Sequence, residues 1–349
     1  MKNYIKTTIF ILILLMLIMF LNKLFVPVGT YEGGWYASGA MQDMYKQEEN
    51  TIDVLYVGDS NVYAGISPME IYNLRGITGF SASTPAQDVV GSYYVIKEFF
   101  KKQKPRVVML DTGEFFTKIE DVSELSKRSE IDFMKFGKNK LDIINDKDFD
   151  FSNYEKLTYI FPVLKFHTRY KRLTEFDVRK IIQKSEMSYK GYLYDREIKK
   201  YEKKRKKRED EKEDNTEPIT QNLEIPEYIN KKIESLKEFC IQNESELVLI
   251  YMPTTDELLN EKNEILKQFA KEKNIKYINF NFDTKTPIDW ATDTQDAGGH
   301  LNIYGSEKVA SYIVKFLDEN FEIKNKKEDE RYRIWNEELE GYLLKKTTQ

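Results

Sequence analysis

Cysteine and histidine are the scarce residues of this 349-residue chain, which holds one cysteine, Cys240, and two histidines, His167 and His300. A lone cysteine excludes an intrachain disulfide and any cysteine-based metal site. Two imidazoles leave few candidates for a general base working near neutral pH. An excess of positive charge is also missing. Lys and Arg number 54 against 58 Asp and Glu, a formal net charge of −4, so no basic field exists to hold nucleic acid. There is no internal repeat. No alanine precedes Ala37, so the small-residue cleavage site of a secretory signal is absent where one would be expected.

What the amino end does contain is a long apolar run. Lys2 and Lys6 are followed by the uncharged stretch TTIFILILLMLIMFL from Thr7 to Leu21, and only Lys23 interrupts the 20 residues between Lys6 and Pro27. That length approaches the ~20 residues needed to cross a bilayer, with Lys23 placed to snorkel. The expectation is an uncleaved single-pass anchor with a cytoplasmic stub over 1–28. Amino-terminal lysines predict a cytoplasmic N-terminus and an extracellular remainder. A juxtamembrane segment then covers 29–50, one globular domain 51–323 and a helical tail 324–349.

Four continuous apolar runs, at 52–57, 106–111, 246–252 and 276–280, predict strands covered on both faces, with a short fifth near TGFSAS. Helical patterns at 87–102, 226–242 and 256–272 lie between them. The alternation predicts an α/β fold, a flavodoxin-like parallel sheet with helices on both faces, whose ligands bind beyond the carboxyl ends of the strands. Residues 115–225 read as an insertion. It holds the aromatic-rich YEKLTYIFPVLKFHTRYKRL, where His167 and Arg169 fit a packed amphipathic helix or a contact to an anionic polymer. It ends in the charge run REIKKYEKKRKKREDEKEDN, which predicts a solvated helix or mobile loop. In the tail, Trp335, Leu339 and Leu343 are spaced to pack one helix face on the domain.

The chemistry concentrates at two places. After the first predicted strand comes Gly58-Asp59-Ser60, which serves equally as an ordinary turn with Ser60 as N-cap. After the last strand comes DTQDAGGHLNIYGSEKVASYIVKFL, a loop carrying His300 ahead of an amphipathic helix. A hydroxyl needs a base and the base needs an orienting group. Ser60, His300 and Asp296 are expected at one edge of the sheet, where they form such a set. Asp111 and Glu114, after the second long strand, fit either site carboxylates or a solvated strand end.

At these residues the chain resembles the SGNH (GDSL-type) hydrolase superfamily, through its Gly-Asp-Ser turn and its terminal Asp-His loop. More specifically, LYVGDSNVYAGISPMEIY, SYYVIKEFFKKQKPRVVMLD, YIFPVLKFHTRY, GGHLNIYGSEKV and DERYRIWNEELEGY resemble a membrane-anchored Gram-positive group. That group is similar to the D-alanyl-lipoteichoic acid transfer protein DltD and to alginate O-acetylation proteins. The resemblance runs from about residue 50 to the end. It implies Ser60 as nucleophile, His300 as base and Asp296 as its orienting acid. DAGGH is one residue longer than the superfamily's Asp-x-x-His, which leaves Asp293 as an alternative acid. The Gly-x-Asn-Asp block is replaced by LDTGEFF, so oxyanion donors are sought in the Ser60 N–H, Ser83 and Gln87. No metal or organic cofactor is implied. The implied activity is O-acyl transfer to a cell-surface polysaccharide or teichoic polymer, with a polytopic membrane O-acyltransferase as partner. A carbohydrate esterase using the same residues and a non-catalytic scaffold are the rivals.

Overall fold

The computed structural model describes residues 2–27, 34–175, 177–178, 189–202 and 223–348. Its centre is a five-stranded, all-parallel sheet in the order β2-β1-β3-β4-β5. β1 is Val54–Val57, β2 Gly79–Ser81, β3 Val107–Asp111, β4 Glu246–Tyr251 and β5 Lys276–Asn279. β1 lies between β2 and β3, the chain order reversing at that point. In open parallel sheets ligands collect outside the carboxyl ends beside such a reversal.

The helices in chain order are α1 (Lys2–Phe25), α2 (Gly34–Lys46), α3 (Ser60–Gly65), α4 (Pro68–Arg75), α5 (Val89–Phe99), α6 (Glu124–Ile131), α7 (Lys138–Ile144), α8 (Asn153–Ile160), α9 (Val163–Phe166), α10 (Glu227–Gln242), α11 (Leu259–Lys273), α12 (Ile303–Asn320) and α13 (Arg333–Thr348). The strands read as unbroken apolar runs because both faces are covered. Leu55, Val57, Val108, Leu110, Leu247 and Leu249 enter one core with α5, α10 and α11. Their alternates Val54, Tyr56, Val107, Met109, Val248 and Ile250 enter the other with α3, α4 and α12. Local punctuation fixes the helices that carry the edge: α4 begins at Ser67, whose side chain accepts the Glu70 N–H, with Pro68 in the first turn, and ends on Gly76 in the left-handed region.

Tyr4–Phe25, within α1, is long and apolar enough to cross a membrane. Two further segments pack into the domain. Residues 34–46, expected to be juxtamembrane, form α2, which buries Ala40, Met41 and Met44 against the domain. The insertion contributes to the first core: Ile131 of α6, Ile143 and Ile144 of α7, and Met134 between the two helices are buried there. The tail packs on the domain. Trp335, Leu339 and Tyr342 of α13 are buried, Trp335 lies 5.1 Å from the Tyr72 ring, and Lys346 pairs with Glu70 of α4 and Glu307 of α12.

Candidate active site

β1 runs directly into Gly58-Asp59-Ser60. A side chain at Gly58 would bring its Cβ within 2.7 Å of the Asp111 Cβ and 2.5 Å of a Val62 methyl, so glycine is required by close approach. The turn reading assigned the N-cap to Ser60, but the structure gives that role to Asp59. Its carboxylate accepts the Asn61 N–H at 2.8 Å. Ser60 is therefore the first helical residue, and its hydroxyl is left for another partner, the phenol of Tyr63. Burial, followed by the charge of Asp59, pushes the Tyr63 phenol well up, so it stays protonated as a hydrogen-bonding neighbour of the serine. Tyr63 lies one helical turn from Ser60, and that spacing was the only sequence signal for it.

His300 lies in the loop that precedes α12. Its ring Nδ1 lies 2.5 Å from Asp296 Oδ2, and its backbone N–H donates to Asp296 Oδ1 at 2.6 Å. Asp296 thus holds both the ring and the backbone of the same histidine. Burial pushes the Asp296 carboxyl up, but the hydrogen bonds from the His300 ring and backbone more than offset this, and it sits below the usual carboxylate range. Asp293 is occupied elsewhere: it accepts the Asp289 N–H at 2.8 Å and the Thr292 hydroxyl at 3.0 Å, and pairs with Lys308 Nζ at 2.5 Å. Asn302 closes the loop. Its Oδ1 caps α12 on the N–H groups of Tyr304 and Gly305, while its amide donates to the carbonyls of Thr292 and Glu197.

A strap, residues 189–202, turns at Tyr189–Gly191 and then runs without helix or strand, joining the serine helix to the histidine loop. Ser81 N–H donates to Lys190 O at 2.9 Å, Leu193 N–H to Tyr63 O at 2.8 Å, and Ile303 N–H to Asp195 O at 2.8 Å. Leu193 and Asp195 are near neighbours in the strap. They therefore tether the fourth residue of α3 beside the first residue of α12, and each of those lies three positions after Ser60 and His300 respectively. Farther on, Ala297 N–H donates to Lys199 O and Lys199 N–H to Thr294 O, both at 3.0 Å. Directly beneath, Leu301 lies against Gly65, where an added Cβ would meet Leu301 Cδ1 at 3.4 Å. Gly191 admits the strap to the sheet edge: its φ is +80°, and a Cβ would fall 2.1 Å from Ser81 O. Arg196–Glu202 belongs to the charge run expected to be a solvated helix or mobile loop. It forms neither helix nor strand here, and its backbone finds partners in the histidine loop. Residues 203–215 of that run lie outside the described residues.

Carboxyl groups crowd beneath the serine. Asp111 is buried, not a solvated strand end: its Oδ1 accepts the Met252 N–H at 3.1 Å and its Oδ2 the Gly113 N–H at 3.3 Å. Burial and the neighbouring Asp59 charge push Asp111 well above the usual range, and its two accepted N–H groups make it a brace between β3 and the end of β4. Burial likewise raises Asp59 to about 6, with the Glu114 charge adding to the rise and His300 opposing it. Glu114 accepts the Thr117 hydroxyl at 2.6 Å.

A raised carboxyl binds its proton more readily in the folded state, so stability falls as pH rises from the unfolded value of 3.8 through about 6. Asp59→Asn keeps an N-cap and removes the charge. It is expected to gain up to about 3 kcal/mol over the native chain at pH 7.5 and nothing below pH ~4. Urea titrations of both proteins at the two pH values measure the difference, in which carboxylates outside the Asp59, Asp111 and Glu114 cluster cancel.

Ser83 and Gln87 are buried. Ser83 receives the Ser81 hydroxyl at 3.2 Å. The Gln87 amide spans Thr84, Ser92 and the Ala82 carbonyl at 3.0, 3.1 and 3.4 Å. Both brace the loop after β2. The register of β1 and β2 ends with Tyr56 opposite Ser81, and Ala82 N–H donates to Tyr56 O at 2.9 Å. His167 is turned to its own helix, its Nδ1 lying 2.9 Å from Leu164 O. Arg169 bonds Phe25 O at 2.7 Å and Asp177 at 3.1 Å. Among the described residues, no group of three or more His, Cys, Asp or Glu side chains is arranged to hold a metal ion. No protein-family model matches this chain, and no curated protein matches it.

Proposed function

We propose that the chain is an SGNH-type serine O-acyltransferase, anchored by α1 with its domain outside the cell, that acylates a cell-surface polysaccharide or teichoic polymer. The observation that carries this reading is the Asp296–His300 pair, delivered by the strap to the same sheet edge as Ser60. The strand order β2-β1-β3-β4-β5 supports a flavodoxin-like arrangement of the SGNH kind. The lysines before α1 support a cytoplasmic amino end.

In this mechanism His300 takes the Ser60 proton as the serine oxygen bonds the acyl carbon. The Ser60 N–H stabilises the oxyanion, and the bond to the donor breaks as His300 returns the proton to the leaving oxygen. Asp296 holds the Nδ1 hydrogen so that Nε2 faces the serine. A polymer hydroxyl, deprotonated by His300, then attacks the acyl-serine and releases Ser60. A polytopic membrane O-acyltransferase is the fitting donor, because tethering both proteins in one bilayer raises their effective concentration.

The site is also open: a third of the His300 side chain is exposed, which suits a bulky polymer but also admits water. Esterase action is therefore the second reading. Full-length protein in lipid vesicles, given an activated acetyl ester, should release acetate slowly alone and turn over faster with a glycan acceptor, the label appearing on the glycan by mass spectrometry. Fast release without acceptor, together with removal of acetyl from an acetylated glycan, would instead establish an esterase.

A further inference from the structure

Below the site, helices of the insertion meet the end of the apolar anchor. Val163 N–H donates to Asn22 Oδ1 at 3.3 Å, and Arg169 caps the Phe25 carbonyl at 2.7 Å. The carbonyl of Phe25 is one of the orphan acceptors at a helix end, and Asp177 at 3.1 Å balances the arginine charge. The apolar stretch beginning at Thr7, interrupted only by the snorkelling Lys23, at 1.5 Å per residue fills the ~30 Å hydrocarbon core by about Val26. Asn22 then lies about 6 Å inside the outer edge and Phe25 about at it. The insertion elements that touch them stand at the level of the lipid headgroups.

At that level the insertion exposes a row of apolar side chains. Tyr154 and Leu157 of α8, Phe161 at its C-cap, Leu164 of α9 and then Tyr170 follow one another across the break between the two helices; all five are between 37% and 63% exposed. An apolar row of this kind ordinarily faces a core. Here the core side of α8 is instead Thr158 and Tyr159, both buried, so the row is a second apolar face. Lys156, Lys165, Lys171 and Arg172 are interleaved with it. Aromatic and leucine side chains with lysine and arginine between them match a bilayer interface, where rings sit among headgroups and cations meet lipid phosphates.

We propose that this face of α8 and α9 is an interfacial membrane-binding surface, buried among the lipids of the same leaflet in which the anchor ends. It makes a second contact beside α1, holding the domain in one orientation and the Ser60 edge at one height above the bilayer. The inference is independent of the acyl chemistry and rests on α1 crossing the membrane.

The native thiol permits a direct test. Cys240 is buried and its thiol is pushed up to about 12, so labelling at neutral pH selects an introduced cysteine. Full-length Leu157→Cys, Leu164→Cys, Ile241→Cys and Leu14→Cys are spin-labelled in vesicles of phosphatidylcholine and phosphatidylglycerol. Collision rates with oxygen and with a water-soluble nickel chelate report depth. Labels at 157 and 164 should be several-fold less accessible to nickel than the label at 241, which lies on an exposed position of α10, and intermediate between it and the label at 14. Equal nickel access at 157, 164 and 241, with 14 buried in lipid, overturns the surface and leaves the anchor. Nickel access at 14 overturns the anchor and the surface together. Protection at 157 and 164 in native membranes but not in pure lipid overturns the lipid assignment in favour of a membrane-protein partner.

Discussion

Ser60→Ala is expected to lower acyl turnover by roughly 10⁴–10⁶-fold, and His300→Ala by a comparable factor, while each variant keeps the native melting temperature within a few degrees. Both residues lie where loss of a side chain costs the fold little. Asp59, not Ser60, caps α3, and Asn302, not His300, caps α12. The effects should not add. Nucleophile and base act as one unit, so removing the second after the first leaves only what binding and the oxyanion donors supply, and the double variant should be scarcely slower than either single one. The measurement is single-turnover acylation by an activated ester, followed by mass spectrometry for the acyl-serine. Unchanged polymer acylation in cells carrying Ser60→Ala would mean that the chain works as a scaffold. A double variant whose loss is the product of the two single losses would separate His300 from Ser60 and break the proposed pair.

Parts of this arrangement were readable before any coordinates, and the reason lies in how each is encoded. β1, β3, β4 and β5 fall within the predicted runs because strands buried on both faces must be continuously apolar, a signal carried by side chains. Gly58, Ser60, Asp296 and His300 stood out because their spacings are local. The strap did not, because its work is done by backbone groups: the N–H of Leu193, Lys199 and Tyr201 and the carbonyls of Lys190 and Asp195 leave no side-chain pattern. Only Gly191, among the tyrosines of YKGYLY, hinted that the chain makes a close approach there. The burial of Asp111 was equally hidden, since one of the two N–H groups that satisfy it belongs to Met252, just past the end of β4 and far away in sequence. Asp296 and Asp293 could not be separated by spacing alone, because both precede His300 within one loop; Lys308, which engages Asp293, approaches from α12.

That separation leads to the second large effect. Asp296→Asn should slow the acylation step by roughly 10²–10³-fold, less than the ~10⁴ typical of a fully buried triad acid, because water can reach part of this carboxylate and replace it. The asparagine carbonyl can still accept the His300 backbone N–H, which fixes the rotamer and turns the side-chain NH₂ toward Nδ1. Facing a donor, Nδ1 must accept, so the proton moves to Nε2 and the ring presents a donor where the serine needs an acceptor. Folding should be little changed, and raising the pH should not restore activity, since the fault is the wrong tautomer and not a protonated base. The native carboxyl is held below the usual range, so it remains ionised well below neutrality, and its contribution to stability is lost only as pH falls beneath the ordinary carboxylate value. Asp293→Asn should show the converse. It breaks the pair with Lys308 and weakens bonds to Asp289 and Thr292, costing about 1–3 kcal/mol by urea denaturation while kcat stays within a few-fold. A slow, fully stable Asp293→Asn beside an active Asp296→Asn would move the orienting role to Asp293. It would require the loop to rearrange when substrate binds, because Asp293 has no free approach to the imidazole while Lys308 holds it.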